Sequence, residues 1–196
     1  MSESNETRPS LLVRMRNARD EWAWGEFVEI YSPLVYGFSR KQGLQDADAV
    51  DVTQDVLRIV ARSIGRLEYD PRRGTFRGWL FTIVRNELKD WFARQRSVVV
   101  GTGDSSVMQR FGELPASEEE HSALWEREHQ RRLFEWAAER VRSEVQETTW
   151  QAFWQATVED RSGQEIASEL GLSVAAVYLA KSRVMARLKE LVRKCE

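Results

Sequence analysis

A stretch in the middle of the chain combines aromatic rings, cations and one amide, the groups that recognise an unpaired nucleic acid base. Residues 75–96 read TFRGWLFTIVRNELKDWFARQR. Stacking on a base needs a π surface, reading its edge needs an amide such as Asn86, and holding the strand needs cations. The alternative is an ordinary amphipathic helix with a solvated basic face, because most charge runs serve only solubility.

A second pattern, at residues 162–183, predicts a helix-turn-helix. Ser162 with Glu165 forms a capping box, Gly171 supplies the positive φ of a tight turn, and Ser173 can cap the second helix. The second helix continues with Lys181 and further cations, which could bind phosphates. A helical hairpin that serves only protein interaction is the alternative.

Helical periodicity positions both patterns, and we find no clear alternating strand. We predict an all-α fold of two small helical domains joined by a flexible linker, with the helix-turn-helix in the second. The predicted boundaries are a disordered N-terminus at 1–19, a first domain at 20–96, a linker at 97–116 and a second domain at 117–196. The linker is assigned from its Gly, Ser, Val and Asp content, with Pro115 near its end.

Local signals give three more expectations. Ser143 with Gln146 predicts a capping box at the start of a helix in the second domain. His121 and His129 lie in a Glu-rich helix, and we expect both to be exposed rather than metal ligands. In the first helix, apolar spacing directs these side chains inward: Trp22, Phe27, Ile30, Tyr31, Leu34, Val35 and Phe38.

Charge is balanced overall but segregated along the chain. The 29 basic and 31 acidic residues give a formal net charge of −2. Between Arg58 and Arg96, however, ten residues are basic and four are acidic, and an acidic run from Asp46 to Asp55 precedes them. Binding responds to local potential on the scale of a Debye length, so this pattern remains compatible with a nucleic acid partner.

Composition argues against several other classes of protein. Cys195 is the single cysteine, so no intrachain disulfide or thiolate metal site can form. No apolar run is long enough for a membrane span, and the first residues lack a signal-peptide core, so we expect a cytoplasmic protein with no membrane insertion. No phosphate-binding glycine loop and no metal-ligand spacing occurs, so we expect neither an enzyme nor a cofactor.

In this order, the two domains resemble those of an extracytoplasmic-function (ECF) sigma factor of bacterial RNA polymerase, from about residue 20 to 194. Residues 51–57 (DVTQDVL) match the family's Asp-x-x-Gln-acidic-x-apolar segment. Residues 76–86 (FRGWLFTIVRN) match its aromatic-x-x-Trp-Leu-x-x-Ile-Ala-x-Asn signature, with Val84 at the alanine. The helix-turn-helix is the third match. After Val177, however, the chain has Tyr178-Leu179-Ala180 where relatives often have a basic-Ser-Arg run.

The resemblance implies that the first domain is a sigma region-two domain, which docks on the clamp and recognises and melts the minus-ten element. The residues that would bind the clamp coiled coil of the polymerase lie on the second helix: Asp48, Asp51, Gln54, Asp55 and Arg58. In the family, the following loop and helix capture a flipped base, and Asn86 would bind it while Tyr69 stacks or walls the pocket. The full minus-ten set is Tyr69, Arg72, Arg73, Arg77, Trp79, Arg85, Asn86 and Lys89.

The second domain would be a sigma region-four domain, whose helix-turn-helix reads the minus-thirty-five duplex. Arg183 is the best phosphate or guanine contact, and the small residues before Val177 can at most contact thymine methyl groups. The full set is Ser173, Ala175, Ala176, Tyr178, Lys181, Ser182, Arg183 and Arg187.

The resemblance therefore implies a sigma factor that directs core RNA polymerase to specific promoters and initiates transcription. Its partners would be the clamp coiled coil and flap of the polymerase, promoter DNA and, as one route of control, an anti-sigma factor. The alternative is a helix-turn-helix transcriptional regulator that binds duplex DNA without replacing a sigma factor.

Overall fold

The computed structural model describes residues 11–17, 20–66, 76–102 and 118–195. Of these residues 89% are helical, and none of them forms a strand. The predicted all-α class is therefore confirmed. The chain divides into two compact units, Met1–Arg132 and Leu133–Glu196.

The first unit is built on three long helices. After a short helix α1 (Leu11–Met15), the unit contains α2 (Glu21–Lys41), α3 (Asp46–Ser63) with a 3-10 turn at Ile64–Arg66, and α4 (Phe76–Thr102). Asp20 caps α2 by accepting a hydrogen bond from the Ala23 amide at 2.9 Å. The helices pack through one apolar stripe each, and these stripes include Phe27, Ile30, Val35, Val52, Val56, Val60, Leu80 and Val84, all at most 2% exposed.

Residues 11–17 are ordered, whereas the sequence predicted disorder throughout residues 1–19; residues 1–10, 18 and 19 lie outside the described residues. Leu11, Leu12 and Met15 are buried along α1. Arg14, which is half-buried, pairs with Asp20 at 3.0 Å and Glu26 at 2.7 Å. Apolar burial together with two ion pairs orders a segment that is too short to form a stable helix alone.

Trp22 also differs from the prediction. It is 81% exposed, whereas the adjacent Ala23 is fully buried, and the remaining predicted side chains from Phe27 to Phe38 are buried as expected. Five residues separate Trp22 from Phe27, which corresponds to about 140° around a helix of 3.6 residues per turn. The inward position in the first turn therefore belongs to Ala23.

The predicted linker and domain boundary are changed at both ends. Helix α4 continues to Thr102, so residues 97–102 are helical; the β-branched run there only slightly disfavours a helix. Helix α5 (Glu118–Glu144) begins in the first unit and ends in the second, because the units divide after Arg132. Residues 103–117 lie outside the described residues.

Residues of the first half of α5 contribute to the core of the first unit. Trp125 is 2% exposed, with its ring 5.3 Å from Phe38 and 5.6 Å from Phe81. His129 is 1% exposed, and its Nε2 lies 3.4 Å from the Tyr31 hydroxyl. The expected exposure of His129 is thus wrong, because the Glu-rich sequence around it conceals an apolar stripe with a spacing of four residues.

The second unit contains the rest of α5, α6 (Glu147–Thr157), α7 (Gly163–Leu170) and α8 (Val174–Cys195). Helix α6 begins after Gln146, which makes no side-chain cap. The predicted Ser143 capping box does not form, because the Ser143 hydroxyl donates back to the Arg140 carbonyl at 2.8 Å within α5. The core draws on all four helices through residues that include Leu133, Val141, Phe153, Ile166, Val177 and Val184, all at most 3% exposed.

Candidate nucleic-acid interface

Helix α3 presents a polar face on the first unit. Asp51, Gln54 and Arg58 are exposed and Asp48 and Asp55 are half-buried, while the opposite face is buried. The five predicted residues fall within about one third of the helix circumference. Asp55 pairs with Arg58 at 2.8 Å. The structure therefore places this predicted set on one continuous surface.

Glu87 of α4, which is not in the predicted set, extends this acidic character. Partial burial, followed by the negative charges of Asp55 and Asp90, raises the pKa of the Glu87 carboxyl above its ordinary value. Asp55 on α3 and Glu87 on α4 are thus electrostatic neighbours. Only the packing of α3 against α4 reveals this, because the sequence shows Glu87 merely as one acid within a basic helix.

Helix α4 carries an aromatic, amide and cationic stripe. Trp79 is half-buried, and its ring lies 5.5 Å from Phe76. Asn86 and Lys89 are exposed. Positions 79, 86 and 89 are seven and three residues apart and so lie on the same side of the helix. The structure brings these three predicted residues together.

The other members of the predicted minus-ten set are placed differently. Arg77 pairs with Glu126 of α5 at 3.2 Å. Arg85 is half-buried and lies four residues before Lys89, at the edge of the stripe. Tyr69, Arg72 and Arg73 lie outside the described residues. Of the predicted cations that the structure describes, Lys89 is the exposed one.

The second unit contains two helices joined by a tight turn, as predicted. Ser162 and Glu165 form a reciprocal capping box, and Gly171 adopts a left-handed conformation with φ of 66° at the end of α7. The Ser173 hydroxyl accepts a hydrogen bond from the Ala176 amide at 3.1 Å and so caps α8. Between the helices lie Ile166, Ala167, Val177 and Ala180, with Ala152 of α6 beneath them.

Two predicted cations of α8 are bound within the unit. The Lys181 ammonium donates to the Ala156 carbonyl near the end of α6 at 3.1 Å. Arg187 forms two hydrogen bonds with Glu144, at 2.6 and 2.9 Å, and a third with Glu190 at 2.8 Å. Hydrogen bonds to Glu144 and then Glu190 raise the pKa of Arg187. Lys194, followed by Arg187, lowers the pKa of Glu190 to about 2.

The remaining predicted residues of α8 are open to solvent. Ala175, Ser182 and Arg183 are exposed, Ala176 is half-buried, and Tyr178 is 61% exposed. Thus Arg183, rather than Lys181 or Arg187, is the predicted cation that remains exposed.

A groove of about 660 Å³ lies elsewhere on the second unit. Its apolar part includes Phe134, which is 41% exposed, and Trp150, whose ring lies 5.7 Å from that of Trp154. Five carboxylates and one cation also line the groove: Glu135, Glu139, Glu147, Glu159, Glu169 and Arg142. The groove therefore combines an aromatic floor with a net negative lining.

Among the residues that the structure describes, no group of His, Cys, Asp and Glu side chains has the arrangement of a metal site. None of the described helices is long and apolar enough to cross a membrane.

Comparison with known proteins connects the first unit to transcription. The family model Sigma-70 region 2 matches residues 27–98, from α2 into α4. The ECF RNA polymerase sigma factor RpoE of Cereibacter sphaeroides is 33% identical over 87 residues, which are 44% of this chain and 47% of that protein. The RNA polymerase sigma factor NccH of Alcaligenes xylosoxydans xylosoxydans is 27% identical over 125 residues, 61% of this chain and 66% of that protein.

The chain thus spans about half to two thirds of the length of these curated relatives. A solved structure of CnrH in complex with the cytosolic domain of CnrY aligns with 93% of this chain and 95% of its own, at 22% identity and a TM-score of 0.36.

Proposed function

The chain belongs to the extracytoplasmic-function sigma factors, and from that premise we propose that it binds core RNA polymerase and directs it to specific promoters. One observation carries the proposal: the matched segment presents both a polar face on α3 and a stripe of Trp79, Asn86 and Lys89 on α4. A protein that only binds duplex DNA needs neither surface.

The polar face of α3 is the proposed contact with the clamp coiled coil. Asp51, Gln54 and Arg58 are solvent-exposed, and the apolar side of the same helix is already buried in the first unit. Charged and amide groups held on a rigid helix can form directional hydrogen bonds across an interface without exposing apolar surface. Asp48 and Asp55 complete the proposed contact.

The stripe of α4 is the proposed reader of the unpaired minus-ten strand. Trp79 offers part of a ring for stacking, Asn86 offers both a donor and an acceptor to a base edge, and Lys89 offers a cation to the backbone. Tyr69, Arg72 and Arg73 remain proposed members of this surface, as do Arg77 and Arg85. Arg77 would have to exchange Glu126 for a phosphate, and this competition favours Lys89 as the main cation.

The second unit is proposed to bind the minus-thirty-five duplex through α8. In a helix-turn-helix, the N-terminal part of the second helix enters the major groove. Ser173 caps that end of α8. The residues proposed to face the DNA from the helix itself are Ala175, Ala176, Tyr178, Ser182 and Arg183. Lys181 and Arg187, by contrast, have partners within the unit, and we assign them a structural contribution.

The groove of the second unit is the proposed contact with the flap of the polymerase. An aromatic floor fits apolar side chains of a partner helix, and the carboxylates around it favour a helix that also carries cations. An anti-sigma factor that blocked this groove or the face of α3 would prevent assembly with the polymerase.

Substitution of Asn86 by alanine tests the proposal. Loss of a bidentate contact to a base costs about 1–3 kcal/mol, so promoter opening should fall roughly tenfold to hundredfold and base preference should relax at one minus-ten position. Transcription from templates varied base by base in the minus-ten element measures both effects.

The matched control is Gln95→Ala, because Gln95 is an amide nine residues further along α4 and so lies on the opposite side of the helix. It should leave activity and base preference unchanged. Wild-type base preference in Asn86→Ala would contradict the assignment. A third result would favour the alternative function. If the wild-type protein bound duplex DNA but supported no transcription with core polymerase on any template, the protein would be a transcriptional regulator that does not replace a sigma factor.

A further inference from the structure

The exposed side of α8 is apolar for a helix proposed to read DNA. Val174 is 38% exposed, Tyr178 61% and Leu179 50%, and Ala175 and Ser182 are exposed between them. Helical geometry places these five positions within about 140° of one another. In the described α8, Arg183 lies at the edge of this face, which we call the apolar reading face.

Cations that could have dominated this helix are directed elsewhere. Lys181 donates to the Ala156 carbonyl, and Arg187 is held by Glu144 and Glu190. Both side chains therefore stabilise packing of α8 on its neighbours. The groups that α8 can present to the floor of a DNA groove are therefore mainly aromatic rings, methyl groups and hydroxyls.

Tyr178 is also positioned by the adjacent helix. A Cβ added at Gly163 would lie 3.4 Å from Cε2, Cζ and the hydroxyl oxygen of Tyr178. The outer edge of the ring therefore lies against the first turn of α7, although more than half of the side chain stays exposed. This contact limits the directions in which the ring can point and so prepares it for a specific contact.

The major groove offers one apolar group to such a face. Each base pair presents hydrogen-bonding groups there, and thymine alone adds a C5 methyl group. Alanine, leucine and tyrosine side chains cannot make the bidentate contacts by which arginine reads guanine or asparagine reads adenine. An apolar reading face therefore discriminates most strongly for thymine.

We propose that Tyr178 and Leu179 determine base preference in the minus-thirty-five element by contact with thymine C5 methyl groups. This inference rests on the proposed function. Arg183 then binds the DNA backbone beside them. The contacts to the bases are apolar at positions where the family often has a basic residue. The element should accordingly be rich in thymine at the positions that face these two side chains.

The experiment first recovers promoters with core RNA polymerase and the wild-type protein, from a template pool randomised in both promoter elements. Each thymine of the recovered minus-thirty-five element is then replaced by uracil, which pairs in the same way but lacks the methyl group. We expect open-complex formation to fall about fourfold for each contacted methyl group. Tyr178→Ala and Leu179→Ala should each lower activity on thymine templates by a similar factor, and each should remove the difference between thymine and uracil at the position that the replaced side chain contacts.

Val158→Ala is the matched control, because Val158 is an apolar residue of the same unit, outside α8, that is 50% exposed. It should keep the thymine–uracil difference, and circular dichroism should show all three variants folded. Equal activity of wild type on thymine and uracil templates would overturn the inference. A loss in Tyr178→Ala and Leu179→Ala that is equal on both templates would also overturn it and would indicate that this face binds a protein.

Failure of the proposed function gives a different result. In that case the wild-type protein and core polymerase recover no promoter from the pool at all. Recovery of promoters followed by insensitivity to uracil overturns the methyl readout alone.

Discussion

Trp125 provides a direct test of how α5 is shared between the two units. Its side chain is 2% exposed and makes ring contacts with Phe38 at 5.3 Å and Phe81 at 5.6 Å. Replacing a buried tryptophan by alanine costs about 3–5 kcal/mol, because apolar burial is lost and a cavity remains. For a small domain, a loss of this size lowers Tm by more than about 10 °C.

Trp125→Ala should therefore destabilise the first unit. Thermal unfolding followed by circular dichroism measures the loss, and hydrogen exchange identifies where it occurs. We expect amides of α2 and α4 to lose protection, because Phe38 and Phe81 lie on those helices, whereas amides of α7 and α8 should keep theirs.

Phe134→Ala is the matched control on the same helix. Phe134 is an aromatic residue that is 41% exposed, so its replacement should cost no more than about 1 kcal/mol. If Trp125→Ala instead reduced protection in α7 and α8 and left α2 and α4 unchanged, the first half of α5 would belong to the second unit, as the sequence-based boundary at residue 117 has it.

Two further predictions concern single side chains. Lys181→Ala should destabilise the second unit by about 1 kcal/mol, because the hydrogen bond to the Ala156 carbonyl is lost, and should change the salt dependence of DNA binding little. Arg183→Ala should instead lower the slope of that salt dependence by about one unit without a change in Tm. The same salt dependence in both variants would contradict a structural contribution of Lys181 and a phosphate contact of Arg183. Burial, followed by the positive charge of Arg77, lowers the pKa of His129 below its ordinary value of about 6.5. The unfolded chain therefore binds the proton more readily, and the first unit should lose stability as pH falls below about 6.5 towards the lowered value. Urea unfolding across this range should show that loss in wild type and not in His129→Gln, and a parallel loss in both proteins would exclude His129 as its source.

Local signals in the sequence predicted the two capped helices and the tight turn between them at residues 162–183. Ser162, Glu165, Gly171 and Ser173 each act on backbone groups within a few residues, so their spacing specifies the geometry directly. The same local logic failed at Ser143, because its hydroxyl could bond backward to the Arg140 carbonyl within α5 as well as forward. Local motifs are therefore reliable only where one partner is available.

Long-range packing could not be read from spacing. Nothing near Trp125 or His129 in the sequence indicates that they pack against α2, which lies almost a hundred residues earlier. The structural contributions of Lys181 and Arg187 were hidden for the same reason, because their partners Ala156 and Glu144 lie on other helices. Side chains of α3 that only had to share a helix face, such as Asp51 and Asp55, do lie on one face, because the helical period alone determines that.

Assembly with core RNA polymerase tests the central claim most directly. Purified protein is mixed with core polymerase, the complex is isolated by gel filtration, and transcription from a recovered promoter is measured. The wild-type protein should form a one-to-one complex and start transcription at one site. A variant with charge reversal at both Asp51 and Asp55 should no longer form the complex but should retain its helical content. Charge reversal at Glu119, an exposed acid of α5, is the control and should change neither result. A protein that binds promoter duplex but never associates with core polymerase, or a doubly reversed variant that assembles as tightly as wild type, would contradict the account.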